Sequence, residues 1–321
     1  MKTIYKNKFL EFNFILFPIW ILPIYFLMKF SFESPELPFL IFLVLFGETH
    51  FASTFLFFFN KTNDEYIKRN KGVLIFLPVI LVIIYFILGL KYFEFAILIG
   101  AAASGIHVTR QSIGISRLYS EKRNNIYELI IYTSSFLFLF FGFIRFYIDS
   151  YSSNIYELVP FTANIINFIV NLLNNNFFTI PLVLIFSLLA LSERTNYKKR
   201  LVNLTGVLIY CPYLFVNNIF DAIVVGVGAH WSQYLLINYK IYFYKQDFNY
   251  TKRLQISFIF VYALIMGLLG YKYHFNDNVI QFLILIPLAG QFFHYIVDAF
   301  IWRFSVKEIR DNIGSKLFAN L

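Results

Sequence analysis

Charge is what this chain has least of: Asp, Glu, Lys and Arg make up only 14% of its 321 residues, against about 25% in a soluble globular domain. That shortage argues against a soluble enzyme. Cysteine is nearly absent. Cys211 stands alone, so no intrachain disulfide forms and no redox compartment can be read from thiol usage; set in an apolar segment, it is expected to pack. There is no Gly-rich phosphate loop, no nucleophile elbow, no cysteine metal motif and no internal repeat at a fixed period, which leaves the usual sequence signatures of nucleotide binding and serine hydrolysis unrepresented.

What the chain has is apolar length. Hydrophobic residues make up 59% and aromatic ones 21%, with 43 Phe, and several uninterrupted stretches approach the ~20 residues that cross a ~30 Å hydrocarbon core. The expected fold is an all-α polytopic transmembrane helical bundle of about ten spans in a single integral membrane domain. The spans fall near 9 to 30, 39 to 59, 73 to 90, 93 to 116, 127 to 145, 177 to 192, 201 to 217, 219 to 240, 254 to 271 and 279 to 304. The first is too long for a signal-peptide core and has no small-residue cleavage site, so it reads as a retained span.

The net charge of +9 reads as a topology signal, with no nucleic-acid partner, because basic residues collect in cytoplasmic loops. With the N-terminus inside, outside segments hold only Lys29, Lys91, Arg145 and Lys272, and Arg110 falls within the fourth span. Every other Lys and Arg is then inside, and both termini are cytoplasmic. Residues 146 to 176 become an extracytoplasmic loop whose apolar part, Pro160 to Leu173, suits an interfacial helix or a lid. Residues 306 to 321 become an amphipathic cytoplasmic tail.

Of the five histidines, His274 sits in a short outside loop. The other four, His50, His107, His230 and His294, lie near the middles of the second, fourth, eighth and tenth spans. All four spans are even-numbered and therefore parallel, which puts the imidazoles at roughly one membrane depth at ~1.5 Å rise per residue. Intramembrane ionisable residues are functional candidates, and neutral imidazole suits iron, zinc, copper and nickel, so the four are expected to share a metal. Gln111 and Gln233, with Gln291 and Asp298 beside His294, fall at helix-face offsets from these rings, and Glu48 lies two residues before His50; all five are candidates to orient the rings. Glu48 and Asp298 would offset the charge of a divalent ion or pair with Arg110 in a structural salt bridge. Tyr234, at i+4 from His230, joins Glu48, Arg110 and Asp298 as a candidate catalytic group.

The windows Gly47-Glu48-Thr49-His50, His107, His230 and His294-Tyr295-Ile296-Val297-Asp298 with Arg303 resemble those of the bacterial Brp/Blh-type membrane carotene dioxygenases. The likeness covers four short windows. It departs at Thr54, where that family has an aspartate, and at Tyr234, where it has a second histidine four residues after the first. The resemblance implies an oxygenase of the bacterial inner membrane that binds O₂ at a non-haem Fe(II) and cleaves a carotenoid or related lipid. It carries His50, His107 and His230 over as iron ligands, with His294 replacing the missing partner or standing beside the metal. Phe51, Trp231, Tyr234, Phe292, Phe293 and Tyr295 flank the histidines and suit an elongated hydrophobic substrate arriving from the bilayer. Two other classes fit the same residues: a haem b electron carrier with paired histidine ligands, and a transporter with a polar path through Glu48, Arg110, Asp221 and Asp298.

Overall fold

The computed structural model describes residues 4–34, 36–120, 124–158, 168, 171–172, 176–194, 196–216, 219–244, 249–275, 282–304 and 306–318. Among them every regular element is helical: α1 Lys8–Ser31, α2 Glu36–Phe42, α3 Thr49–Ser53, α4 Phe55–Phe59, α5 Asp64–Arg69, α6 Leu77–Lys91, α7 Phe93–Leu118, α8 Asn125–Leu158, α9 Asn176–Leu191, α10 Tyr197–Leu208, α11 Ile219–Phe243, α12 Tyr250–Phe275, α13 Phe282–Ile301, α14 Lys307–Ile309 and α15 Ser315–Phe318. Two π-helical stretches, Leu43–Glu48 and Arg310–Gly314, join neighbouring helices without a break, and a third, Gly72–Phe76, runs directly into α6 after a turn at Asn70.

Six of the described helical stretches are long and apolar enough to cross a membrane: Lys8–Ser31, Glu36–Ser53, Gly72–Lys91, Asn125–Gly142, Tyr250–Tyr271 and Leu283–Ile301. On α6 the isoleucines 80, 83, 84 and 87 form one exposed stripe at helical spacing, each about half exposed. Such a surface is compatible with an integral membrane protein, since hydrocarbon accepts it where water would not. Four of the ten expected spans fall outside this set. Tyr197–Leu208 is 12 residues long, about 18 Å at the α-helical rise, and the apolar part of α9, Phe178–Leu191, is also short. α7 and α11 are long but mixed: α7 buries His107, Thr109, Ser112 and Ser116, and α11 buries Asp221, His230, Ser232, Gln233 and Lys240. Helices lined by protein can carry polar groups that lipid would reject.

The chain divides into two compact units. The first is Met1–Lys2, Ile15–Ile24 and Val108–His230; the second is Thr3–Phe14, Tyr25–His107 and Trp231–Leu321. In the first, α8, α9 and α10 pack on one another around Ile131, Phe138, Phe186 and Val207. Tyr213 fills the space left by two glycines: a Cβ on Gly142 would stand 2.6 Å from its Cβ, and one on Gly226 2.8 Å from its Cε2. The helix ends are tied by ions, with Arg117 donating twice to Glu128 at 2.7 Å and Lys199 Nζ lying 3.0 Å from Glu193 Oε2. The hydrogen bonds to Glu128 hold the Arg117 guanidinium above its ordinary pKa. α8 runs to Leu158, past the expected start of the outside loop at 146, and no Pro or Gly falls between residue 146 and Pro160 to stop it. The apolar stretch after Pro160 lies mostly outside the described residues.

In the second unit, α6 lies on α13 and α12 lies on the π-helical stretch before α3. Both contacts are close. A Cβ on Gly89 would meet Leu285 Cδ2 at 2.5 Å, and one on Gly267 would meet Val44 Cγ2 at 2.5 Å. The C-terminal segment, expected to be amphipathic, buries Ile309, Ile313 and Leu317 at i, i+4 and i+8 and exposes Arg310 and Asp311. Lys316 donates to Thr62 at 2.8 Å, and partial burial lowers its pKa.

Candidate metal centre

His50 follows the π-helical stretch Leu43–Glu48 directly. A π-helix adds a residue to the turn and re-aims the side chains beyond it. Thr49 closes the widened turn, its hydroxyl donating to the Val44 carbonyl at 2.6 Å, and Gly47 leaves room for the Trp231 ring, whose Cη2 would lie 3.1 Å from an added Cβ. His50 is thereby fully buried, with its ring centroid 4.5 Å from that of His294 and 4.3 Å from that of Tyr234.

His294 and Asp298 share a face of α13 at i and i+4, and α7 brings His107 to the same place. His294 Nε2 and His107 Nε2 stand 3.1 Å apart. Asp298 Oδ2 is 3.6 Å from the first nitrogen and 3.9 Å from the second. One donor atom from each of His107, His294 and Asp298 falls within 4.8 Å of the others. All three residues are buried, and the ring of His50 is 6.4 Å from that of His107.

The groups behind these donors orient them. Thr54 Oγ1 lies 2.6 Å from His294 Nδ1. When Nδ1 carries the proton and donates to Thr54, the His294 lone pair is left on Nε2, facing His107. Tyr234 donates its hydroxyl to Asp298 Oδ1 at 2.5 Å, and Trp302 Nε1 donates to the Tyr234 oxygen at 3.2 Å. Phe51, its ring 5.2 Å from His294, and Tyr295, its ring 4.7 Å from His107, close the cluster with aromatic surface.

The remaining candidates are placed differently. Glu48 is buried and accepts from Gln291 Nε2 at 3.1 Å. Gln233 donates to the backbone carbonyl of Phe14 at 3.1 Å. Arg110 is exposed and Gln111 half-buried, both in the first unit. His230 is buried on α11 one turn before Tyr234 and is the last residue of the first unit; Asp221 also belongs to that unit. The side chain of His274 lies outside the described residues. Thr54 and Trp302 carry interactions that the sequence reading did not assign. A signal for both was present: Thr54 is at i+4 from His50, and Trp302 continues the ladder His294, Asp298, Trp302 at steps of four.

No protein-family model, curated protein or solved structure matches this chain.

Proposed function

We propose that the protein is a membrane-embedded, iron-dependent oxygenase acting on a carotenoid or related lipid, with His107, His294 and Asp298 as ligands and His50 beside them. The observation that carries this reading is the convergence of two imidazole nitrogens and one carboxylate oxygen, all buried, within 4.8 Å. Two nitrogens bound ~2.1 Å from one ion stand about 3.0–3.4 Å apart at octahedral or tetrahedral angles, and the 3.1 Å between His107 and His294 fits that spacing. Asp298 Oδ2, at 3.6 and 3.9 Å, would move closer to both nitrogens on binding. A divalent ion with neutral imidazoles alone would keep its full charge in a low-dielectric site, and this carboxylate offsets half of it.

Two histidines and one carboxylate form the ligand set associated with non-haem Fe(II) oxygenases, and iron held this way would supply open coordination positions for O₂. The chain's own side chains do the rest. Thr54 holds the His294 tautomer, Tyr234 holds one oxygen of Asp298, and Phe51, Trp231 and Tyr295 exclude water and offer an apolar wall to a polyene. The haem alternative is favoured less by this geometry, since His107 Nε2 and His294 Nε2 already face each other at 3.1 Å, a spacing that suits one small ion. Ten crossings with both termini cytoplasmic belong to the same proposal and rest on the distribution of Lys and Arg.

Expression in a β-carotene-producing bacterium tests the function: loss of colour with formation of retinal is expected, and unchanged pigment removes the carotenoid substrate. Metal analysis of the purified protein is expected to find about one iron per chain without a Soret band. An H230A variant decides by the same count whether α11 contributes an imidazole: reduced iron adds His230 to the ligand set, and wild-type iron leaves it out.

A further inference from the structure

Resting on that reading and deepening it, we propose that Tyr234 and Trp302 are positioning residues that hold Asp298 to a single metal-facing oxygen. The two oxygens of Asp298 have different surroundings. Oδ1 accepts the Tyr234 hydroxyl at 2.5 Å; Oδ2 faces His294 and His107 at 3.6 and 3.9 Å. With one oxygen held by a short bond to a buried phenol, the carboxylate cannot rotate to present both oxygens to the ion.

Trp302 sets the direction of that phenol. An indole N–H only donates, so at 3.2 Å it takes a lone pair of the Tyr234 oxygen and leaves the tyrosine proton to point at Asp298. Thr54 Oγ1, 3.5 Å from both Tyr234 Oη and Asp298 Oδ1, flanks the same bond. The Trp302 ring packs on that of Tyr234 at 5.6 Å and on that of Phe304 at 6.0 Å. Together with Ile313 of the C-terminal segment it lines one small cavity. The chain of hydrogen bonds therefore runs from Trp302 through Tyr234 to Asp298.

The test uses the full-length protein in detergent, freed of metal and titrated with Co(II) alone, reading both affinity and the visible ligand-field spectrum. Loss of a group that orients a ligand costs about 10–100-fold in metal affinity. Y234F, which removes one oxygen atom, is expected to weaken Co(II) binding in that range and to alter the spectrum; W302F is expected to act in the same direction and less. Because Trp302 acts through Tyr234, the Y234F/W302F double variant is expected to match Y234F alone. A wild-type spectrum and affinity in Y234F overturns the proposal, as does a W302F effect that multiplies with that of Y234F. Y234F decides the question even where W302F does not yield folded protein. A wild-type chain that takes up no Co(II) fails the metal reading itself, a result distinct from a wild type that binds and a Y234F variant that is unchanged.

Discussion

Each of the two units buries charged or ligand-type side chains, and they satisfy them in opposite ways. In the first, acid meets base: Glu193 lies against Lys199 and Glu128 against Arg117, at 3.0 and 2.7 Å. In the second, electron-pair donors meet one another. His107 Nε2 and His294 Nε2 face each other at 3.1 Å with a carboxylate oxygen close by. The first arrangement is closed, because each charge already has its counter-charge and gains nothing from a ligand. The second is satisfied by a shared proton or by a cation, and a cation draws all three donors at once. Burial of ionisable groups alone therefore does not identify a functional site; the sign and the lone-pair direction of the partners do.

Substitutions that remove one partner from each arrangement separate the two cases. The largest effect is expected in the second unit. H294A removes the donor that faces both His107 and Asp298 and is expected to abolish iron retention in purified protein, with folding followed independently by helical circular dichroism. Iron at wild-type stoichiometry in H294A would show that the donors are a hydrogen-bonded packing motif like their counterparts in the first unit. Next in size is K199M, which leaves the buried Glu193 carboxylate without its ammonium; breaking a buried pair from one side costs about 3–5 kcal/mol. A lowered thermal midpoint is expected for K199M, with most of the loss recovered in K199M/E193L. Recovery on removing both partners is the mark of a structural pair, and no such double variant of His294 and Asp298 should restore metal.

The nearness of three histidines was suggested by the sequence, and the azimuth of the helices that carry them was not. Placing His50, His107 and His294 on like-directed spans puts them at one level, and their ring centroids fall within 6.4 Å of one another. Spacing along α13 also groups Asp298 with His294, since residues four apart share a face. Spacing groups Arg110 with His107 by the same rule, yet Arg110 is exposed, because the rule orders side chains around one helix and is silent on which sector the neighbouring helices cover. The helical class is legible from composition. The span count is harder to read, since a hydropathy window does not separate a helix facing lipid from one lined by protein, and α7 carries Ser104, His107, Thr109, Gln111 and Ser112 within nine residues. The π-helical stretch before His50 has no sequence signature that we recognise; it is accompanied by Val44 packing against Gly267, Gly47 against Trp231 and the Thr49 hydroxyl on the Val44 carbonyl.

The smallest effect, and the finest division between the two kinds of burial, is expected at Thr54. Its hydroxyl stands 2.6 Å from His294 Nδ1, and T54V keeps the volume while removing the oxygen. In a purely structural cluster this leaves one buried ring nitrogen without its partner and costs about 1–3 kcal/mol of stability. In a metal centre the same change also frees the ring to rotate and to exchange tautomers, so affinity for the ion falls about tenfold, the low end of the range for a group that orients a ligand. T54S, which restores the hydroxyl and omits the methyl, is expected to recover metal affinity more fully than stability. Co(II) titration and thermal unfolding of the metal-free variants measure the two quantities separately. Parallel losses in T54V with equal recovery in T54S would assign Thr54 to packing alone, whereas recovery of affinity ahead of stability assigns it to the orientation of His294.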